Sequence, residues 1–312
     1  MCMHLDHEAS ECTDKETKDM LSKRRMIQTL AAGGLVTATA PALSSCVTNP
    51  ETGSRQFLGL VSESQLNQMA AQSWAQAKQK QKLTTDPRYT NRLRNIGSRI
   101  ARGAKRDKQS WDYAVFDSDQ KNAFVLPGNR VGFYKGMMDF ADNDDQIAAV
   151  MGHEVGHVAG QHARERVNTQ MAGQLGLAVG GIVGATQLSK KCKTIPDRRQ
   201  QQLCYQKASR NTQLLNAALG MGFTLGVVLP FSRKHESQSD LLGAKYMHHA
   251  GYDTQQSVKL WEKMAEGQTS RRPEFMSTHP DPARRARDLH NYIKYQDSLG
   301  SQGWQNIRMP KA

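Results

Sequence analysis

The stretch VMGHEVGHVAG, residues 150–160, limits the folds open to this chain more than any other feature. His153 and His157 are four residues apart, and on a helix that spacing puts both imidazoles on one face. Two imidazoles aimed at one point are two of the three protein ligands that a catalytic zinc needs. Glu154 is turned about 100° from His153, where its carboxylate can take a proton from a zinc-bound water. The alternative is two exposed helix histidines with a glutamate between them.

A second stretch, FSRKHESQSDLLGAKYM at residues 231–247, also has a helical pattern. Glu236 and Asp240 are at i and i+4, so both carboxylates share one helix face. Glu236 can supply the third zinc ligand, while Asp240 can accept the free ring N–H of one zinc histidine and fix its tautomer. Alone, this pair is typical of a solvated acidic surface, but beside the first motif it predicts a completed zinc site.

The rest of the body predicts an α+β domain that is mostly helical. Alternating apolar residues in WDYAVFD, AFVLP and VGFYKG, between residues 111 and 136, predict three short strands. We expect them to form one small antiparallel sheet before the zinc helix, which Asp142, Asn143 or Asp144 caps. Helical periodicity predicts the remaining helices, at residues 62–82, 88–102, 175–188, 214–229, 232–250, 254–266 and 283–298.

Two of these segments, residues 175–188 and 214–229, are apolar and rich in glycine. A bilayer needs roughly 20 apolar residues and each run has about 14–18, which favours buried or partly exposed helices over membrane spans. The polar segment between them, which carries two cysteines, is expected to be a loop.

Residues 1–45 predict an export signal of the lipoprotein type, with Met20 as an alternative start. Residues 23–25, KRR, form a positive region, and an uncharged, weakly apolar stretch follows it. The stretch ends in LSSC, which resembles a lipobox and implies cleavage before Cys46 and lipidation of its thiol. Val47 stands where an Asp retains lipoproteins at the inner membrane, which favours the outer membrane. General and twin-arginine export are both open, and an uncleaved anchor or buried helix is the alternative.

The five cysteines of the chain agree with export. Cys2 and Cys12 precede the predicted cleavage point, and Cys46 is the predicted lipidation site. Cys192 and Cys204 then form a single pair in an oxidising compartment, where we expect a disulfide. Two free buried thiols are the alternative.

The formal net charge is +13. This charge indicates either a solvated basic surface or a surface that is attracted to an anionic membrane face. The sequence has no nucleic-acid-binding motif and no basic run interleaved with aromatic residues, so we expect no nucleic-acid partner.

Three motifs, GHEVGHV, SRKHESQSD and STHPDPARR, together resemble the HtpX-like zinc metallopeptidases, family forty-eight of the metallopeptidases. NAFVLPGNRV at residues 122–131 is similar to the family's strand and turn before the zinc helix. NPETGSRQFLGLVSE at residues 49–63 is similar to the opening of its periplasmic lipoprotein branch without tetratricopeptide repeats. The resemblance implies a zincin-like fold and one Zn²⁺ per chain, bound by two histidines and a downstream glutamate that map onto His153, His157 and Glu236. Ser239 departs from the family, which usually has Ala there.

Several residues near these motifs have less certain roles. The resemblance brings His279 near the site, either as an electrophile for the oxyanion, as a reversible fourth ligand or as a plain loop histidine. Arg285 is expected to pair with a carboxylate in the same region. His162 follows His157 by five residues, off the ligand face, and is expected to be structural, while His235 points elsewhere.

The resemblance implies a zinc endopeptidase that hydrolyses unfolded or misassembled envelope proteins. Its expected location is the periplasmic side of a bacterial envelope, lipid-anchored to the outer membrane, with the outer-membrane assembly machinery as a candidate partner. The alternatives are a non-proteolytic chaperone or assembly factor using the same cleft, a structural zinc lipoprotein, and an integral membrane protease. The expected segments are a signal at 1–45, a lipidated tether at 46–61, one metallopeptidase domain at 62–300 and a tail at 301–312.

Overall fold

The computed structural model describes residues 46–223, 229–266, 275, 279 and 281–305. The predicted signal at 1–45 and residues 306–312 of the predicted tail lie outside the described residues. The described strands are β1 (Cys46–Thr48), β2 (Arg55–Phe57), β3 (Asp112–Phe116), β4 (Ala123–Leu126) and β5 (Arg130–Tyr134). The described helices are α1 (Glu63–Lys80), α2 (Pro87–Gly103), α3 (Lys135–Phe140), α4 (Asp144–Ala159), α5 (His162–Lys193), α6 (Arg198–Phe223), α7 (Leu229–His249), α8 (Gln255–Glu266) and α9 (Pro282–Ser298).

The predicted fold class is confirmed: the domain is mostly helical, with a small sheet before the zinc-motif helix α4. The three-stranded sheet is mixed, however, in the order β3-β5-β4. β4 pairs with β5 antiparallel through a turn at Gly128, whose φ is +81°. β3 joins the far side of β5 and runs parallel to it, so the expectation of a wholly antiparallel sheet is wrong. The alternation of apolar and polar residues predicts which face of a strand is buried, but it does not predict which strand pairs with it.

Helix α4 runs through the core and begins and ends at clear local signals. Asn143 is its N-cap, because the side-chain oxygen accepts the backbone N–H of Gln146 at 2.9 Å. The helix ends at Gly160, and Gln161 takes a left-handed backbone conformation, with φ +52°. The chain therefore turns sharply before α5 starts at His162.

Helix α4 packs against α7 at an unusually short distance because glycines line the contact. A Cβ built on Gly243 of α7 would lie 2.9 Å from the backbone nitrogen of His153. A Cβ on Gly156 of α4 would lie 2.8 Å from the backbone oxygen of Ser239. This close approach lets side chains from the two helices meet around one point.

Residues 46–61, where we expected a tether, are folded onto the domain. β1 and β2 form an antiparallel pair, and the buried side chains of Asn49 and Gln56 lie beneath the C-terminal end of α4. Asn49 Nδ2 donates to the carbonyl of Ala159 at 3.1 Å, and Gln56 Nε2 donates to that of Gly160 at 2.6 Å. These bonds satisfy carbonyls at a helix end that lack partners within the helix.

Helices α5 and α6 form a long hairpin, closed by the predicted Cys192–Cys204 disulfide, with the two Cα atoms 5.6 Å apart. The polar segment expected to be a loop is mostly helical, since only residues 194–197 separate the helices. Asp197 starts α6 by accepting the backbone N–H of Gln200 at 2.7 Å. Residues 175–188 lie within α5, and 214–223 lie within α6. Among the described residues, no helix combines the length and apolar character that a bilayer-crossing segment needs.

Candidate metal centre

Four side chains from three parts of the chain point their nitrogen or oxygen atoms at one place. His153 and His157 come from α4, Glu236 comes from α7, and His279 lies between α8 and α9. His153 Nε2 is 3.1 Å from His157 Nε2 and 3.1 Å from His279 Nδ1. His279 Nδ1 is 2.7 Å from Glu236 Oε2. All four candidate ligand atoms lie within 4.8 Å of one another.

This donor set fits one zinc ion. Tetrahedral ligands at roughly 2.0–2.1 Å from zinc are about 3.3 Å from one another, and the contacts among these side chains run from 2.7 to 3.5 Å. Burial holds the pKa of His157 well below its usual range, which keeps the imidazole neutral, as a metal ligand must be. Glu236 Oε1 is buried and has no hydrogen-bond partner among the described residues, so it is available to a metal.

A buried carboxylate and guanidinium hold His153 in orientation. Asp240 Oδ1 lies 3.0 Å from His153 Nδ1, the contact that the spacing in α7 predicts. Arg285 donates to both Asp240 oxygens, from Nε at 2.8 Å and from Nη2 at 2.6 Å. Its guanidinium also lies 3.7 Å from the centre of the Trp261 ring. The expected pairing of Arg285 with a carboxylate is therefore present, and this carboxylate is the one beside a zinc histidine.

His162 contacts His157 as Asp240 contacts His153. The sequence did not predict this role for His162. Its Nδ1 lies 3.0 Å from His157 Nδ1, and its Nε2 lies 3.0 Å from Gln238 Oε1. Burial keeps the pKa of His162 well below its usual range. A spacing of five residues is off the ligand face only if the helix continues. The left-handed Gln161 ends that continuity and folds His162 back over α4.

A further buried cluster joins this pair to the β1–β2 hairpin. His235 points away from the metal ligands, as expected, and stacks on His162 with ring centroids 4.0 Å apart. Its Nε2 lies 3.1 Å from Glu165 Oε2, which also accepts from Gln56 Nε2 at 2.6 Å. Burial raises the pKa of the Glu165 carboxyl to about 7. The hairpin at residues 46–57 is thus tied to the residues that position the zinc motif.

Glu154 is buried beside the four ligand atoms. Burial raises the pKa of its carboxyl to about 7. Its Oε1 has no hydrogen-bond partner among the described residues and lies 3.6 Å from His279 Nε2. His279 itself stacks on Phe275 with centroids 4.2 Å apart. Such a carboxyl can exchange a proton near neutral pH.

The metal centre opens into a cleft of about 430 Å³. One wall is the strand β4 and the turn after it, residues 123–129, and the floor includes Glu154, His157 and His279. Among the described strands β4 pairs with β5 alone, and its residues line the cleft.

The model of Peptidase family M48 matches residues 87–293, well over half of the chain. The chain belongs to peptidase family M48. The motifs that carry the family resemblance all lie inside the match except the segment at residues 49–63. Peptidases of the M48 family use zinc, and the donor set of this chain fits that metal.

The relatives of this chain include a bacterial and a mitochondrial protease. The Beta-barrel assembly-enhancing protease of Escherichia coli is 26% identical over 93% of this chain and 56% of its own length. The Mitochondrial metalloendopeptidase OMA1 of Schizosaccharomyces pombe is 30% identical over 59% of this chain and 47% of its own length. The same-named protein of Saccharomyces cerevisiae is 28% identical over 68% and 58%. The chain thus spans about half the length of the curated relatives it matches.

Proposed function

We propose that this chain is an endopeptidase that cleaves unfolded or misassembled proteins of a bacterial envelope. The observation that carries the proposal is the convergence of His153, His157 and Glu236 beside the buried carboxyl of Glu154, along one open cleft. A zinc ion at these three ligands supplies Lewis acidity, lowering the pKa of an attacking water and polarising the scissile carbonyl.

Glu154 is the proposed general base. Its raised pKa suits a group that takes a proton from the attacking water and then delivers it to the leaving amine nitrogen.

The free edge of β4 is the proposed substrate-binding element. An extended peptide can add to this edge as a further strand, with main-chain hydrogen bonds that read backbone more than side chain. That mode of binding suits a segment that has lost its own structure, because a folded segment has no free backbone groups to offer.

His279 is the proposed reversible fourth ligand, rather than an electrophile or a plain loop histidine. Its Nδ1 lies among the zinc-binding atoms at 3.1 Å from His153 Nε2, the position of a ligand. A fourth protein ligand closes the coordination position that a water needs, so this histidine must leave for the enzyme to act. The arrangement gives a latent enzyme.

The proposed location is the periplasmic face of the outer membrane, with a lipid on Cys46. The support is the LSSC sequence before the folded domain and the resemblance to a protease named for β-barrel assembly, which also makes the outer-membrane assembly machinery a proposed partner. In the structure of the whole chain Cys46 starts β1 and its sulfur is in a disulfide, so lipidation requires that bond to be absent. Mass spectrometry of the chain recovered from membranes tests this, since a lipidated N-terminal Cys46 supports the proposal and an unmodified one contradicts it.

The proposed activity is tested by cleavage of casein, an unfolded protein, with wild type, Glu154→Gln and His279→Ala. We expect Glu154→Gln to bind zinc and to cleave nothing, and His279→Ala to cleave faster than wild type. Equal cleavage by wild type and Glu154→Gln contradicts the role of the base. Zinc-loaded His279→Ala that stays inactive contradicts the protease and favours a chaperone that uses the same cleft.

A further inference from the structure

The far end of the α5–α6 hairpin carries a concentrated positive charge. Residues 190–210, called the hairpin tip here, contain seven Lys and Arg and one Asp, a formal charge of +6 within a chain of +13. Nearly half of the net charge therefore lies in a short segment that has no part in the metal centre.

The charges of the hairpin tip face solvent. Lys190, Lys193, Arg198 and Arg199 are all exposed, and none of the four forms an ion pair with another described residue. The acidic residue of the tip, Asp197, is engaged as the N-cap of α6. The cations are therefore available to an external anionic partner.

The tip lies far from the catalytic site. α5 has 32 residues, and at 1.5 Å per residue it is about 48 Å long. Its first residue, His162, contacts the zinc-motif histidine His157, so the tip is at the opposite end. The disulfide between Cys192, which is buried, and Cys204 joins the two helices at that end. The cations are thus presented together, on one closed turn.

Apolar side chains lie among these cations. Leu203 is 58% exposed, and Pro196 is exposed in the connection between the helices. Cations interleaved with exposed apolar side chains are typical of surfaces that rest at a membrane interface, where headgroups meet acyl chains. The described cleft involves none of these residues, so the tip is a surface separate from the cleft.

We propose that the hairpin tip binds the anionic phosphate headgroups of a lipid bilayer. Lys and Arg near an anionic surface each raise partitioning roughly fivefold, so a cluster of this size gives strong attraction at moderate ionic strength. The tip is a second attachment point, about 48 Å along α5 from the folded domain, and it orients the domain on the membrane. The inference rests on the charges of the tip and is independent of the proteolytic activity.

The test uses the full 312-residue chain, made without lipidation, and sedimentation with vesicles. One set of vesicles is phosphatidylcholine alone, and the other has equal parts of phosphatidylcholine and phosphatidylglycerol. The tip variant replaces Lys190, Lys193, Arg198 and Arg199 with Gln. The matched control makes the same charge change elsewhere, at exposed cations of the folded domain: Arg94, Lys108, Arg287 and Lys294.

We expect the wild type to bind the anionic vesicles and the tip variant to bind them at least about 100-fold more weakly. The control variant is expected to stay within about threefold of wild type, since its changes lie outside the contact. Equal losses in both variants overturn the proposal, because net charge alone then accounts for binding. If wild type does not bind anionic vesicles at low ionic strength, the proposal is also overturned. An acidic protein is then the better candidate partner for the tip. Unchanged casein cleavage by the tip variant shows that the catalytic domain is intact, which separates this result from the proposed activity.

Discussion

Gly243 holds the two metal-binding helices together, so we expect Gly243→Ala to damage the site without touching a ligand side chain. A Cβ at this position would lie 2.9 Å from the backbone nitrogen of His153 and 3.0 Å from the backbone carbon of Gly152. Both atoms belong to the backbone of α4, which cannot turn aside as the end of a flexible side chain can. The two helices must therefore move apart.

The size of the movement sets the size of the effect. Ordinary contact for a Cβ begins at 3.4 Å, so α4 and α7 must separate by about 0.5 Å. Metal sites lose function when ligands move by about that distance, and we expect zinc affinity to fall roughly 10–100-fold. Overpacking of the helix contact is expected to lower the free energy of unfolding by about 1–3 kcal/mol.

The assay is competition for zinc against a chelating dye, with urea unfolding of the metal-free protein measured separately. Gly176→Ala is the matched control, because it lies in α5 and a Cβ there meets nothing within 4 Å. Removal of a helical glycine is expected to add about 0.5–1 kcal/mol to the free energy of unfolding and to leave zinc affinity unchanged. Wild-type zinc affinity and stability in Gly243→Ala would refute the account of the helix contact.

Three further substitutions test the surroundings of the site. Asp240→Asn is expected to weaken zinc binding about 10–100-fold and to lower the free energy of unfolding by about 3 kcal/mol, because the buried Arg285 loses its charged partner; unchanged values in the same two assays contradict this. Cys192→Ser is expected to remove about 3 kcal/mol of local stability by opening the bond to Cys204, so amide hydrogen exchange accelerates in α5 and α6 but not in α4. Equal exchange rates for α5 and α6 in wild type and variant would contradict this. Burial raises the pKa of Glu165 from 4.5 to about 7, so the stability due to its protonated form is complete below pH 4.5 and is lost as pH rises through about 7. Between pH 4.5 and 8 the free energy of unfolding of wild type should therefore fall by up to about 3 kcal/mol more than that of Glu165→Gln. The same pH dependence of unfolding in both proteins would contradict this.

Local spacing predicted most of the helices and which of the metal-site residues share a helix face. His153 and His157 share a face because a helix has a fixed period, and the same argument places Glu236 and Asp240 on one face of α7. The family resemblance then linked the two helices, which are separated by about seventy residues of intervening chain. Periodicity alone says nothing about such a long-range contact.

The parts that sequence reasoning missed depend on backbone conformation and on contacts between distant segments. The role of His162 follows from one left-handed residue, Gln161, that no periodic pattern marks. The polar residues of 46–57 read as a tether, yet Asn49 and Gln56 are buried because they satisfy carbonyls at the end of α4. The strand order β3-β5-β4 depends on which edge of a hairpin a third strand joins, and the strand sequences leave both edges open.

The central claim is that one zinc ion per chain is held jointly by α4 and α7, and metal analysis tests it most directly. Elemental analysis of purified wild type, Glu154→Gln and Glu236→Ala, each after dialysis against trace chelator, gives the zinc content per chain. The account predicts about one zinc in wild type and in Glu154→Gln, and a large loss in Glu236→Ala, because only that variant lacks a ligand. Full zinc content in Glu236→Ala, or none in wild type, would contradict the account.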